Sequence, residues 1–169
     1  MPPLEPPDTI LLSACEGWLE LGNDEEAALE WSRISPSAQR HPAALELRWH
    51  LLARGAKWEE AVAVGDQLVA IAPEVCAGWL HRAYAVRRAP SGGLTQAYET
   101  LIPAAALFPE DETVAYNLAC YTAQLGRPDD GWEWFLRALQ ISKDAARIKS
   151  MGLADPDLEP LWDRIRGMR

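Results

Sequence analysis

Apolar residues recur along this chain at intervals of three and four, and each recurrence stops at a glycine or proline. Leu11, Leu12, Cys15, Trp18 and Leu19 form a first helical stripe that ends at Gly22-Asn23, with Asp8 and Thr9 placed to cap its start. A second stripe starts near Asp24. Ala27, Ala28, Trp31 and Ile34 make its inner face, Glu25, Glu26, Glu30 and Arg33 face water, and Ser35-Pro36-Ser37 stops it. The same double stripe returns over residues 42–72, with Leu45, Trp49 and Leu52 and then Trp58, Ala61, Leu68 and Ile71, closed by Pro73. It returns again over residues 74–108, with Trp79, Ala83 and Val86 and then Leu94, Ala97 and Leu101, a longer Pro90-Ser91-Gly92-Gly93 turn, and Pro109. A fourth pair starts near Glu112 and resumes at Pro128, a favourable first helical residue. Residues 144–151 read as helical, Gly152 breaks them, and Asp157 is placed to cap a last helix that tolerates Pro160 in its first turn.

The period of this pattern identifies the unit. Ala27, Ala61, Ala97 and Gly131, the small residues opening each second helix, are separated by 34, 36 and 34 residues, and the two extra residues fall in the Gly92-Gly93 turn. Ala27-x3-Trp31, Gly131-x3-Phe135, Leu118-Ala119, Trp79-x3-Ala83 and the closing Pro73 and Pro109 share one register. In these residues the chain resembles the tetratricopeptide repeat family. The resemblance implies an all-α, right-handed solenoid of four helix hairpins over residues 8–41, 42–75, 76–111 and 112–145. A proline-rich extended tail would precede them at 1–7, and a C-terminal helical cap at 146–169 would bury Leu153, Leu158, Leu161, Trp162 and Ile165.

Departures from the family pattern carry expectations of their own. Trp49 stands where a small residue is usual and Gly65 where an aromatic is usual, so the contact between the first two hairpins is expected to splay unless one offsets the other. Pro103 lies inside a helix and predicts a kink or late start. Gly131 costs its helix about 1 kcal/mol relative to alanine, which close helix approach would offset.

Charge and chemistry narrow the function. The net charge of −9 disfavours nucleic acid and anionic membranes, and no apolar run approaches the roughly 20 residues of a membrane span. Cys15, Cys76 and Cys120 are scattered and odd in number, which points to a reducing, cytoplasmic setting, and the first seven residues lack the pattern of an export signal. No phosphate loop, GxSxG or HExxH is present, and His41, His50 and His81 fit no ligand spacing, so neither catalysis nor a cofactor or metal is expected.

In the family the first helix of each pair lines a concave groove, and the resemblance therefore implies groove-facing residues. On the first two pairs these are Leu12, Glu16 and Leu19, then Glu46, His50 and Arg54. On the third they are Leu80, His81, Tyr84, Arg87 and Arg88, and on the fourth Thr113, Tyr116, Asn117, Cys120 and Gln124. Residues 40–88 are the net basic stretch, with 7 bases against 5 acids. Arg54, Arg87 and Arg88, with His50, are accordingly expected to orient carboxylates of an acidic peptide, and Leu80, Tyr84 and Tyr116 to supply contact area. The family groove that clamps acidic chaperone C-termini uses lysine and asparagine where Leu12 and Glu16 stand, so that specificity is not expected, although Asn117 matches an asparagine of such grooves. The expected function is a non-catalytic protein–protein interaction module. The alternatives are a small chaperone for secreted translocator-type proteins and a homo-oligomer associating through Trp132 or Trp134, which cannot both join Phe135 in the core.

Overall fold

The computed structural model describes residues 3–168. The chain is all-α and divides into two compact units, Met1–Ser91 and Gly92–Arg169.

The first unit holds α1 (Asp8–Glu20), α2 (Asp24–Arg33), a 3-10 turn (Ala38–Arg40), α3 (Pro42–Arg54), α4 (Trp58–Ile71) and α5 (Cys76–Arg88). Tight turns join the pairs. Gly22 sits at φ 75° between α1 and α2, a conformation that favours glycine, and Asn23 caps α2 by accepting from the Glu26 amide. Asp8 does not cap α1. Its carboxylate instead accepts from the Ser35 amide at 2.8 Å and the Ser35 hydroxyl at 2.7 Å, tying the start of α1 to the segment after α2. Leu4 packs against the cluster of Leu12, Ile34, Ala38 and Ala44, so the described part of the leading segment is docked; Met1 and Pro2 of the expected tail lie outside the described residues.

Trp49 is buried in a core shared by α3, α4 and α5, with Leu45, Leu52, Ala61, Val64, Leu68 and Ala85. On α4, a Cβ on Gly65 would lie 2.8 Å from the Arg82 Cα and 2.9 Å from its Cβ. The missing side chain at Gly65 lets α5 approach α4 closely at Arg82, and Trp49 of α3 fills the core that these helices share. Ile71, expected inward, is exposed because α4 ends there.

The second unit holds α6 (Leu94–Leu101), α7 (Ala104–Leu107), α8 (Glu112–Gln124), α9 (Pro128–Ile141), α10 (Ala145–Ala154), a 3-10 segment (Pro156–Leu161) and α11 (Trp162–Gly167). Pro103 separates α6 from α7, as its missing amide predicts. Asp111 caps α8 by accepting from the Thr113 and Val114 amides. A Cβ on Gly131 would lie 3.1 Å from the Ala123 nitrogen and 3.2 Å from the Ala119 oxygen, so α8 and α9 cross almost backbone to backbone. At the C-terminus the cap differs from expectation. Asp155, not Asp157, is the cap and accepts from the Asp157 amide, the segment containing Pro160 is 3-10, and α11 starts only at Trp162. Leu158, Leu161 and Ile165 are fully buried, and Phe135 packs on Gly152.

Candidate functional site

In the first unit a hollow of about 500 Å³ lies between α1 and α3. Leu12, Leu19 and Leu47 line it with apolar surface, and Glu16, Glu20 and Glu46 set carboxylates around it. His50 and Arg54 complete the wall. The residues that the repeat pattern assigned to one face of α1 and α3 are therefore brought together. Arg54, however, is already engaged: its Nε donates to the Asp24 carboxylate at 2.5 Å.

Along α3 and α5 a stack of rings continues the surface. His81 lies on Trp49 with ring centroids 4.0 Å apart and planes 13° from parallel, and His50 meets His81 edge-on at 5.1 Å. The His81 Nε2 comes within 3.6 Å of the Glu46 carboxylate. Two histidines without any ligand spacing in sequence thus share a corner with a carboxylate, against the sequence expectation. Burial, and then the neighbouring His81, push the His50 imidazole below its ordinary pKa. The interaction with His81 holds the Glu46 carboxyl below the usual carboxylate range, against a smaller opposing effect of burial.

Tyr84 is 40% exposed, and the Arg88 guanidinium sits 3.4 Å over its ring while donating to the Tyr84 carbonyl. Arg88 therefore acts as a cover for Tyr84 and Trp58 as much as a charged contact. Leu80 and Arg87 are half-buried on α5.

The second unit treats its corresponding helix differently. Tyr116 and Cys120, expected on an open face of α8, are only 7% and 4% exposed. The C-terminal segment lies across them: the Tyr116 hydroxyl donates to the Asp155 carboxylate at 3.0 Å, and the Cys120 thiol lies 3.6 Å from the same oxygen. Gln124 donates to the Asp157 carbonyl at 2.9 Å, while Asn117 turns back to its own helix and donates to Thr113. Burial, with Cys120, Asp155 and Asp157 adding to it, raises the Tyr116 hydroxyl far above its ordinary pKa. Sequence reasoning missed Asp155 as the partner because nothing local links positions 39 residues apart.

Trp132 and Trp134 separate as the geometry of α9 requires. Trp132 stacks on Phe135 beneath Arg164 of α11, whereas Trp134 lines an outer hollow of about 730 Å³ with Leu136, Arg137 and Ile141. Among the described residues no helix is long and apolar enough to cross a membrane.

No protein-family model and no curated protein matches the chain. Solved structures do. A thermophilic tetratricopeptide-repeat protein of Thermus thermophilus is similar with a TM-score of 0.73 at 21% identity, over 93% of this chain and 82% of that one. The MamA protein is similar with a TM-score of 0.70 at 16% identity, over 94% of this chain and 86% of that one. A MamA double mutant follows at 0.69 and 17%, over 80% and 75% of the two chains. Helix pairs at a spacing near 34 residues, glycines at the tight helix crossings and this likeness along most of the chain together establish that the protein has the tetratricopeptide-repeat fold.

Proposed function

We propose that the chain is a non-catalytic protein-binding module that takes a segment of a partner into the hollow between α1 and α3. The observation that carries this reading is the hollow itself: about 500 Å³, apolar at Leu12, Leu19 and Leu47, and rimmed by polar groups that fix orientation. On α8 the chain's own C-terminal segment lies over Tyr116 and Cys120, so the capture of an outside segment is assigned to the first unit. That internal contact also supports the mode of binding, since a short 3-10 segment buries Leu158 and Leu161 and the adjoining Asp155 accepts from the Tyr116 hydroxyl.

Charge favours a different ligand from the acidic peptide expected from Arg54, Arg87 and Arg88. Three carboxylates, Glu16, Glu20 and Glu46, face the hollow, and Asp24 already holds Arg54. A segment with an apolar anchor flanked by lysine or arginine fits these groups. Pull-down from the native host with the full chain, repeated with Glu16→Lys/Glu20→Lys, tests this. A partner captured by the wild type and lost with the charge-reversed variant supports it, and equal capture by both overturns it.

The outer hollow beside Trp134, with Leu136 40% exposed, favours self-association as a second reading. Light scattering of the wild type and of Trp134→Ala/Leu136→Ser tests that reading, and a monomeric wild type overturns it.

A further inference from the structure

Glu46 and His50 stand one helical turn apart on the same face of α3, and His81 reaches them from α5. One ligand atom from each of the three lies within 4.8 Å of the others. We propose that this corner is a binding site for a divalent transition-metal ion of the zinc class, held by the Glu46 carboxylate and the His50 and His81 imidazoles. Four ligands at about 2.0 Å from a tetrahedral ion lie about 3.3 Å from one another. The Glu46 oxygen and the His81 Nε2, 3.6 Å apart, already approach that separation. His50 closes the remainder by rotation about its side-chain bonds.

A second observation points to a ligand. The His81 Nε2 is shut off from solvent and has no hydrogen-bond partner, because 3.6 Å to Glu46 is beyond hydrogen-bonding range. Buried polar atoms are ordinarily satisfied, and a metal ion between this imidazole nitrogen, the carboxylate and the second imidazole would satisfy it. The ring is also held in place, since stacking on Trp49 fixes its orientation much as an outer-shell partner does.

The surrounding electrostatics agree. Glu16 and Glu20 line the adjoining hollow and add negative potential, while Asp24 neutralises the nearby Arg54. Imidazole with carboxylate selects ions of the zinc, nickel and copper group over calcium or magnesium. Three protein ligands leave a fourth coordination position, which water or a side chain of a bound segment completes.

The other cluster of this kind, Cys120, Asp155 and Asp157, is the weaker candidate because Tyr116 and Cys120 both use the Asp155 carboxylate. The test uses the full, partner-free chain at neutral pH, so its outcome is independent of the protein-binding reading. Zinc is titrated by calorimetry in competition with a chromophoric chelator, and cobalt(II) serves as a spectroscopic substitute. Saturable uptake of one equivalent is expected, with intense d–d bands of low-coordinate cobalt. Glu46→Gln and His50→Gln should each weaken zinc binding by about tenfold or more. His81→Gln should do the same, and native circular dichroism will separate ligand loss from a disturbed Trp49 stack. His41→Gln and Cys120→Ser should leave affinity unchanged. Absence of saturable binding, equal affinity in Glu46→Gln and His50→Gln, or loss confined to Cys120→Ser would overturn the assignment.

Discussion

Glycine to alanine is ordinarily a stabilising change inside a helix, by about 1 kcal/mol, because alanine restricts the unfolded chain and suits the helical backbone better. The contacts around Gly65 predict the opposite sign. A Cβ there would lie 2.8 Å from the Arg82 Cα and 3.2 Å from the Arg82 nitrogen, where carbon contacts settle at about 3.5–4.0 Å. The obstacle is backbone and the base of a side chain, neither of which can rotate away, so α4 and α5 must separate. Separation loosens Leu68, Val64 and Ala85 in the shared core. Overpacking of this sort costs about 1–3 kcal/mol, and a rigid obstacle puts it near the upper end. Subtracting the helix-propensity gain leaves a net loss of about 2 kcal/mol for Gly65→Ala, or roughly 4–8 °C in melting temperature for a chain of this size.

Gly17 supplies the internal comparison. It lies in α1, and a Cβ there would meet nothing within 4 Å, so Gly17→Ala should gain the full propensity, about 1 kcal/mol. Gly131→Ala should fall between the two, because its Cβ would meet Ala123 and Ala119 backbone at 3.1 and 3.2 Å. Urea unfolding followed by circular dichroism gives the order directly. A Gly65→Ala protein as stable as the wild type, or a Gly17→Ala protein less stable, refutes the reasoning that helix approach rather than propensity governs these positions.

Other outcomes follow from named contacts. Asp155→Ala leaves the buried Tyr116 hydroxyl without its acceptor and should destabilise the second unit by about 1–3 kcal/mol, less so in a Tyr116→Phe background; urea unfolding of the double-mutant cycle measures the coupling. Cys15 is fully buried, and burial followed by Glu30 and Glu16 pushes its thiol up to about 11, so iodoacetamide at pH 8 should leave it unmodified in the native protein and label it in denaturant, as peptide mass spectrometry will read. The Ser35 amide and hydroxyl hold the Asp8 carboxyl below its ordinary pKa. Its contribution is therefore fully present above the unfolded value of about 3.9 and disappears as pH falls through the lower native value; the stability difference between wild type and Asp8→Asn should shrink on acidification below about pH 4.

Short-range patterns foretold the helices well, and the reasons are local. Gly22 and Gly126 take left-handed turn conformations, Pro103 interrupts a helix, and Gly131 marks a close crossing, all readable from the residue and its neighbours. What the C-terminal residues pack against was not readable in that way. Leu158, Leu161 and Ile165 carried an inward signal and are buried, but apolar periodicity specifies that a face is covered and not which helix covers it. The resemblance to the repeat family places Tyr116 and Cys120 on an open groove, because in that family the first helix of each pair lines it. The polar groups that decide the matter, Asp155 on Tyr116 and the Asp157 carbonyl on Gln124, belong to a segment with no counterpart in the repeat.

The Glu46, His50 and His81 corner shows how the same repeat could have revealed more. Scanning for metal ligands by spacing looks for residues three or four apart on one helix, and His50 and His81 are 31 apart. In a chain with a period of 34 that distance is one period less one helical turn, while Glu46 to His81 is one period plus one residue. In the first unit α3 and α5, the first helices of successive pairs, pack on one another, so residues offset by a period, give or take a turn, face each other across them. His50 is in register with Tyr84, one turn beyond His81, and the rings of His50, Trp49, His81 and Tyr84 meet where that arithmetic puts them. The adjacency was therefore encoded, but only jointly by the repeat period and the helical pitch. A search for ligand sets in such folds has to be made at the period and its neighbouring turns rather than within single helices.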